Sequence, residues 1–303
     1  MKKTLLILAA CLALMCAAAS AEGGLRIVTT DFPCYDFARQ VAGDGAQITM
    51  LLKPGTEAHA YDPTPADILA IGGADLFVYI GGESDAWADN ILSGFDGDGP
   101  ATLRMMDCVD GLVEEDEGEG HHHDGGAPEY DEHIWTSPVN AMRMVDALAE
   151  ALSAADPENA ARYRANAEDY TAQIARIDAQ IRETVDGASR RTLVFADRFP
   201  FAYFVREYGL DYLAAFPSCT ADTEPSMQVL IALIDKVVDE GIPAVYTIEL
   251  STQAIARTVQ EETGAQILTL HSMQTVSQDE FEAGETYVSL MQKNLEALRE
   301  GLR

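Results

Sequence analysis

A long run of helical periodicity near the middle of the chain divides the sequence into two halves. Asp156 is a favourable N-cap, Pro157 suits a first helical turn, and Gly187 is a typical C-terminal glycine. At 1.5 Å per residue, a helix over 157–186 would be roughly 45 Å long, which exceeds what one small domain needs. The apolar residues recur every three or four positions, as on one helix face: Tyr163, Ala167, Tyr170, Ile174, Ile177, Ile181 and Val185. We therefore predict a rigid spine helix between the two halves.

Short β-rich runs alternate with helical patterns on both sides of this spine. Predicted strands lie at 26–30, 48–52, 76–80, 192–195, 212–216, 244–248 and 266–270. Predicted helices lie at 36–41, 65–71, 201–208, 227–240, 253–262 and, for the most part, 281–302. Such alternation is typical of a parallel sheet covered by helices. The predicted fold class is α/β, with two similar lobes of mainly parallel sheet flanked by helices and joined by the spine.

The N-terminus contains the three parts of a secretory signal peptide. Lys2 and Lys3 precede an apolar run over 5–19, and the small residues Ala19 and Ala21 provide a cleavage site. The apolar run is too short to span a bilayer. The segment 8–11 also matches a lipoprotein-processing box that would leave a lipidated Cys11, and both alternatives stay open. We expect export to the periplasm or to the outer face of the cell membrane.

These patterns divide the chain into four segments. We assign 1–21 to the signal peptide, 22–138 to an N-terminal lobe, 139–187 to a helical linker that includes the spine, and 188–303 to a C-terminal lobe. The mature part contains Cys34, Cys108 and Cys219. A disulfide between the first two and three separate thiols are both compatible with an exported protein.

The charge balance excludes some functions. The chain has 20 basic and 50 acidic residues and a formal net charge of −30. Nucleic-acid binding requires basic side chains that replace counterions, so this function is excluded. Acidic residues are concentrated at 107–132, around His121, His122 and His123. That segment is too polar to bury a core, so we predict a loop that either collects cations weakly or only links two elements.

The other three histidines point to a metal site. His59 follows the second predicted strand, and His271 follows the last one. Ligands of open α/β sheets bind beyond the carboxyl ends of strands, where His133 is also expected. Neutral imidazole suits zinc and other transition metals. Nearby acids are candidates for further ligands, for hydrogen-bond acceptors of the imidazoles or for solvated surface: Glu57, Asp62, Asp131 and Glu132.

Three segments resemble the solute-binding proteins of zinc and manganese ABC importers. The segment 55–65 reads GTEAHAYDPTP and is similar to their first ligand motif, and 131–138 reads DEHIWTSP and is similar to the second. The segment 74–87 is similar to the family's strand and loop that end in Glu and Trp. The resemblance implies a non-enzymatic protein in which His59 and His133 bind the metal. It also implies delivery to a membrane permease, and we expect a monomer.

The C-terminal lobe departs from that family pattern. Arg198 stands at the position of a family ligand, although a guanidinium has no lone pair to donate. Asp197 is a candidate substitute, and His271 stands where the family usually has Asp. The resemblance therefore implies a site of His59, His133 and His271 with Asp197 or a water as the fourth ligand. Glu249 is a candidate to orient His271, and Asp131 to line the site.

The ligand set favours one metal and leaves three functions open. Three histidines and one oxygen favour Zn²⁺, and Mn²⁺ is the alternative because it prefers more oxygen ligands. The first function is metal capture for import. The second is binding of a chelated or anionic cargo by Arg198, which could instead pair with Asp197 or Glu249. The third is a zinc hydrolase, but the sequence contains no H-E-x-x-H motif and no nucleophile elbow.

Overall fold

The structure is a computed structural model that describes residues 24–95, 97, 99–114, 130–216 and 225–303. The predicted signal peptide with Cys11, the histidines 121–123 and Cys219 lie outside the described residues. Cys34 and Cys108 are both described as free thiols, so the alternative of a disulfide between them is wrong. Among the described helices, none has the length and apolar character needed to cross a bilayer.

The described residues form eight strands and ten α-helices. The strands are β1 (Leu25–Thr29), β2 (Ala46–Met50), β3 (Leu76–Tyr79), β4 (Ala101–Arg104), β5 (Thr192–Phe195), β6 (Asp211–Ala214), β7 (Ala244–Thr247) and β8 (Gln266–Thr269). The helices are α1 (Phe32–Ala42), α2 (Pro65–Gly72), α3 (Ala86–Ser93), α4 (Pro138–Ala155), α5 (Ala160–Asp186), α6 (Ala202–Tyr208), α7 (Met227–Glu240), α8 (Ala254–Thr263), α9 (Gln278–Ala283) and α10 (Tyr287–Gly301).

The strands form two parallel sheets with the same topology. The first sheet has the order β2-β1-β3-β4, and the second has the order β6-β5-β7-β8. Every pairing in both sheets is parallel; Ile27 lies opposite Ile48 and Leu76, for example. The predicted fold class of two parallel-sheet lobes is therefore confirmed. The first strand of each lobe, β1 or β5, is an inner strand of its sheet. Because all the strands of a sheet are parallel, the loops that follow them lie at the same edge.

Local sequence explains why these elements form. β3 and β7 are buried at every position because helices cover both faces of their sheets; β3 reads LFVY, and β7 reads AVYT with Thr247 as its one polar residue. α2 begins at a capping box in which Thr64 and Asp67 satisfy each other's backbone N–H groups. The Ser226 side chain likewise accepts from the Val229 N–H at the start of α7.

The spine ends where predicted, begins three residues later and buries the predicted face. α5 contains 27 residues, which corresponds to about 40 Å, and it follows a short 3₁₀ turn at Pro157–Asn159. Its buried residues are the predicted stripe: Tyr163, Ala167, Tyr170, Ile174, Ile177, Ile181 and Val185. α4 packs along α5 and provides most of the remaining predicted linker. The 3₁₀ turn forms where the Asp156 carboxylate accepts from Asn159 and Tyr163.

One apolar core connects the spine to both sheets. It includes Ile27 and Leu76 from the first sheet, Leu193 from the second, Leu270 just after β8, and Ile177 from the spine. Each sheet also has one smaller apolar cluster on its other face. This arrangement fixes both sheets against one helix, so the loops at their carboxyl edges meet.

Candidate metal centre

Loops from both lobes converge at the carboxyl edges of the sheets. His59 lies on a 3₁₀ turn after β2, and Ser84 lies on a turn after β3. Gln274 lies in the loop after β8 of the other lobe. The Gly55 N–H donates to the Val276 carbonyl at 2.7 Å and joins the two lobes next to these side chains. This edge is where ligands of open α/β sheets bind.

Three side chains in this region are close enough to hold one ion. Within the described residues, candidate ligand atoms of His59, Glu132 and His133 all lie within 4.8 Å of one another. The two imidazole rings are 5.8 Å apart between centroids. His133 and Glu132 are 4% and 6% exposed, and the His59 side chain is 14% exposed. Two imidazoles and a carboxylate match the three protein ligands of many zinc sites.

Ser84 connects His59 to Glu132. The Ser84 Oγ lies 2.9 Å from His59 Nδ1 and forms a short hydrogen bond with Glu132 Oε1. The Ser84 N–H donates to Glu132 Oε2 at 2.9 Å. Burial lowers the pKa of His59, and the neighbouring His133 adds to this effect. His59 is thus disposed to the neutral form that binds metals.

His133 is oriented by the residues around it. Its Nδ1 lies 3.0 Å from Asp131 Oδ1, which also accepts from the His133 N–H at 2.8 Å. The Tyr203 hydroxyl, from the other lobe, donates to the Asp131 carbonyl at 2.7 Å. A carboxylate can only accept here, so the Nδ1 atom carries the proton and Nε2 keeps a lone pair. The predicted placement of Asp131 beside a site histidine agrees with this geometry.

Gln274 is the residue from the C-terminal lobe that reaches this group. Its Nε2 lies 3.3 Å from Glu132 Oε1 and 3.5 Å from His59 Nε2, and the residue is 8% exposed. The sequence analysis did not single out Gln274. The available signal was its position in the loop after the last strand, three residues beyond His271.

His271 is directed to other partners. Its Nδ1 accepts from the Met273 N–H at 2.9 Å, and its Nε2 lies 3.6 Å from Glu280 Oε1. Glu249, predicted to orient His271, has its Oε2 3.6 Å from His271 Nδ1. Met273 has a φ of 67°, so the chain turns between His271 and Gln274. The structure therefore brings Gln274, and not His271, beside His59.

Asp197 and Arg198 also lie outside the group of three. The Asp197 carboxylate accepts from the Arg198 N–H at 2.9 Å and from the Ile248 N–H at 3.4 Å, which joins the ends of β5 and β7. The Arg198 guanidinium lies 2.8 Å from Glu57 Oε2 in the other lobe. Burial opposes ionisation of Glu57, but the hydrogen bond and charge of Arg198 outweigh it and lower the pKa. The remaining flanking acid, Asp62, is exposed.

Two buried carboxylates lie behind the group. Asp85 accepts from the Ile80 and Gly81 N–H groups at 2.7 and 3.2 Å. Burial and the charge of Glu132 raise the pKa of Asp85 to about 7, and burial and the charge of Asp85 raise that of Asp31 to about 8. Burial is the larger cause of each shift and the neighbouring negative charge the smaller one, and a cation in the centre would offset that charge.

A glycine permits Glu132 to approach the turn after β3. A Cβ atom built on Gly82 would lie 2.2 Å from the Glu132 Cβ and 2.3 Å from its Oε2. A side chain at position 82 would therefore push Glu132 away from the Ser84 N–H.

Two parallel-sheet lobes on one spine, with His59, Glu132 and His133 enclosed between their loops, are the architecture of a two-lobed solute-binding protein. The chain belongs to the ZnuA family, described as the periplasmic component A of a zinc-uptake complex, whose profile matches residues 27–301. This membership confirms the resemblance that the sequence motifs indicated.

Similar proteins are known from several bacteria. The chain is 34% identical to the zinc-binding lipoprotein AdcA of Streptococcus pneumoniae over 99% of its length, but it spans only 61% of that protein. It is 30% identical to the high-affinity zinc uptake system protein ZnuA of Bacillus subtilis, over 98% of this chain and 97% of that protein. The crystal structure of the Zn(II)-bound ZnuA-like domain of S. pneumoniae AdcA superposes with a TM-score of 0.77 at 32% identity, over 92% of this chain and 99% of that domain.

Proposed function

We propose that this protein captures a divalent transition metal, Zn²⁺ before Mn²⁺, outside the cytoplasm and delivers it to the permease of an ABC importer. The observation that supports this proposal is the buried group of His59, Glu132 and His133. Nitrogen ligands favour zinc, whereas manganese prefers sites richer in oxygen. The zinc-related names of the similar proteins from S. pneumoniae and B. subtilis agree with this cargo.

The proposed ligands are His59, His133 and Glu132, and a water completes a tetrahedron. This set keeps the two histidines of the sequence prediction. His271 and Asp197 stay predicted ligands, and their variants test them. In this proposal the protein is not an enzyme, acts as a monomer and is anchored or released outside the cell membrane. The residues 121–123 serve as a weak collecting site.

The deciding experiment is a competition titration with Zn²⁺ on purified residues 22–303 at pH 7. We expect His59→Ala and Glu132→Gln each to weaken the tight site by about 100-fold or more, or about 2.7 kcal/mol. Asp62→Asn is the matched control, because Asp62 flanks the same motif and is exposed. Unchanged affinity in His59→Ala would contradict the proposed site.

The same titration separates the predicted ligands from the proposed ones. We expect His271→Ala and Asp197→Ala to retain a tight site, because their side chains contact Glu280 and backbone N–H groups. Loss of the tight site in either variant would show that the substituted residue is a metal ligand after all. Replacement of residues 121–123 by alanine should lower the number of weakly bound ions and leave the tight site intact.

An anionic or chelated cargo at Arg198 is the second candidate function. In the structure the Arg198 guanidinium is engaged with Glu57 at 2.8 Å, so it joins the two lobes. This contact favours the first function. The absence of a tight site for any divalent metal in the wild-type protein would favour the second.

A further inference from the structure

Ser84 lies between two proposed metal ligands and contacts both. Its Oγ is 2.9 Å from His59 Nδ1 and forms a short hydrogen bond with Glu132 Oε1, and its N–H donates to Glu132 Oε2. The side chains of His59 and Glu132 are 14% and 7% exposed, so bulk water has little access to these atoms. The directions of these hydrogen bonds can therefore be assigned by counting protons.

A serine hydroxyl has a single proton to donate. The Glu132 carboxylate accepts from the Ser84 N–H through Oε2 and lies 3.3 Å from the Gln274 Nε2 through Oε1. These donors favour an ionised carboxylate, which only accepts. The Ser84 hydroxyl must then donate to Glu132 and accept from His59. The imidazole Nδ1 of His59 consequently carries a proton.

A second contact with the same carboxylate agrees with this assignment. The Gln274 amide group must direct its NH₂ at the Glu132 carboxylate, because two oxygens would repel each other. The same Nε2 lies 3.5 Å from His59 Nε2. A donor facing His59 Nε2 requires a lone pair on that atom. Both contacts therefore describe a neutral imidazole with its proton on Nδ1 and its Nε2 free to bind an ion.

We infer that Ser84 is a positioning residue that holds His59 in the Nδ1–H tautomer and aligns Glu132 with it, so that both present lone pairs to one ion. This inference rests on the proposed function, because it assigns a role within that metal site. In water the Nε2–H tautomer of histidine is the more abundant form, and in that form Nε2 could not bind the ion. Ser84 stabilises the Nδ1–H tautomer of His59 before the metal binds. The Ser84 N–H and hydroxyl also hold the Glu132 carboxylate in place.

The test reads the tautomer directly by NMR. The metal-free protein with ¹⁵N-labelled histidine is studied at pH 7.5 by long-range ¹H–¹⁵N correlation, and the His59 signals are assigned by their loss in His59→Ala. We expect the wild-type imidazole in the Nδ1–H form. Ser84→Ala should shift His59 toward the Nε2–H form and weaken Zn²⁺ binding about 10–100-fold. Ser84→Thr retains a hydroxyl and should restore both.

Two further measurements make the outcome decisive. Ser93→Ala changes an exposed serine on α3 and should leave tautomer and affinity unchanged. Thermal unfolding of each variant identifies any loss of folding. An unchanged tautomer in folded Ser84→Ala would overturn the inference, and so would unchanged Zn²⁺ affinity.

The tautomer is measured without metal, so the inference and the proposed function fail separately. A wild-type Nδ1–H tautomer together with full Zn²⁺ affinity in His59→Ala would overturn the metal site. An Nε2–H tautomer in a wild-type protein that binds Zn²⁺ through His59 would overturn only the role of Ser84.

Discussion

At the scale of single residues, His271 shows how burial and charge compete. Burial alone would lower its pKa, but the carboxylates of Glu249 and Glu280 outweigh burial and raise the pKa above its ordinary value. The polar contact with the His271 imidazole, whose Nε2 lies 3.6 Å from Glu280 Oε1, in turn lowers the pKa of Glu280 to about 2, although partial burial opposes this. His271 and Glu280 thus form a partly buried ion pair at the start of α9 when the imidazole is protonated, and in that state Nδ1 no longer accepts from the Met273 N–H.

This pair stabilises the fold only in a window of pH. The raised pKa of His271 stabilises the folded state fully at pH values below its pKa in the unfolded chain, about 6.5. This stabilisation is lost as the pH rises through the folded-state pKa. The lowered pKa of Glu280 stabilises the folded state above about pH 4.3, its value in the unfolded chain, and this stabilisation is lost as the pH falls toward 2. Both contributions are therefore present together between about pH 4.5 and 6.5.

We expect Glu280→Gln to reduce this pH dependence, while Glu249 keeps part of it. The variant should lose about 1–2 kcal/mol of unfolding free energy at pH 5.5 and less at pH 8.5, because the charge of His271 is lost as the pH rises through its raised folded pKa. Glutamine preserves the N3 position of the capping box with Ser277. Urea unfolding of the metal-free protein provides the measurement, and exposed Glu282→Gln is the control. Equal losses at both pH values would contradict the assignment.

The sequence predicted part of the site for identifiable reasons. His59 and His133 lie within motifs, and the structure brings them together with Glu132, one of the flanking acids considered from sequence. The position of His271 directly after the last strand also predicted its place at the carboxyl edge of the second sheet. The direction of its side chain depends on the turn at Met273, with its φ of 67°, and no periodicity reports that angle. Gln274 was overlooked because an amide is not a typical metal ligand.

At the scale of elements, periodicity predicted what is long and amphipathic. The stripe of α5 was predicted residue by residue because a long helix repeats its pattern many times. β4 was missed because its four residues, Ala101–Arg104, are exposed or half-buried and show no apolar run. α3 was missed because eight residues contain too few repeats, with only Ala88 buried.

Asp36 joins three helices in a way that sequence alone does not reveal. This carboxylate on α1 is fully buried. It accepts from the Tyr170 hydroxyl on the spine at 2.5 Å and from the Tyr287 N–H at the start of α10 at 2.8 Å. Arg39 Nε lies 2.7 Å away and provides the countercharge. Asp36 therefore connects elements that are 134 and 251 residues away along the chain.

We expect Asp36→Ala to destabilise the protein by about 3–5 kcal/mol, because it leaves Arg39 and two donors without their acceptor. Tyr170→Phe removes one hydrogen bond and should cost about 1–2 kcal/mol. Exposed Asp44→Ala on the following turn is the matched control and should stay within about 0.5 kcal/mol of wild type. Chemical unfolding measures all three. A cost for Asp36→Ala as small as the control's would refute this role.

At the scale of the whole molecule, polar contacts join the lobes around the metal centre. The Trp135 indole N–H donates to the Ser272 carbonyl at 2.8 Å, and both residues are buried. Glu57 and Arg198 form a partly exposed ion pair across the same boundary. These two contacts, one buried and one partly exposed, join the lobes across the same boundary.

The ion pair should contribute only modestly, since the Glu57 and Arg198 side chains are 43% and 27% exposed. A double-mutant cycle with Glu57→Gln and Arg198→Gln should give a coupling free energy of about 0.5–1 kcal/mol at low salt. The coupling should decrease in 0.5 M salt because water and ions screen the pair. Urea unfolding measures the cycle, and the exposed Arg26–Asp75 pair within one lobe is the reference. A coupling of zero at low salt would show that the contact does not join the lobes.

The core that both sheets share with the spine has a consequence for how the chain can be divided. Side chains from both halves of the sequence fill one cluster, and the seven buried spine residues belong to it. A fragment that ends at the spine would expose that apolar face to water, at about 25 cal/mol for each Å². Neither lobe is then a self-sufficient folding module. The two lobes should therefore unfold together in a single thermal transition.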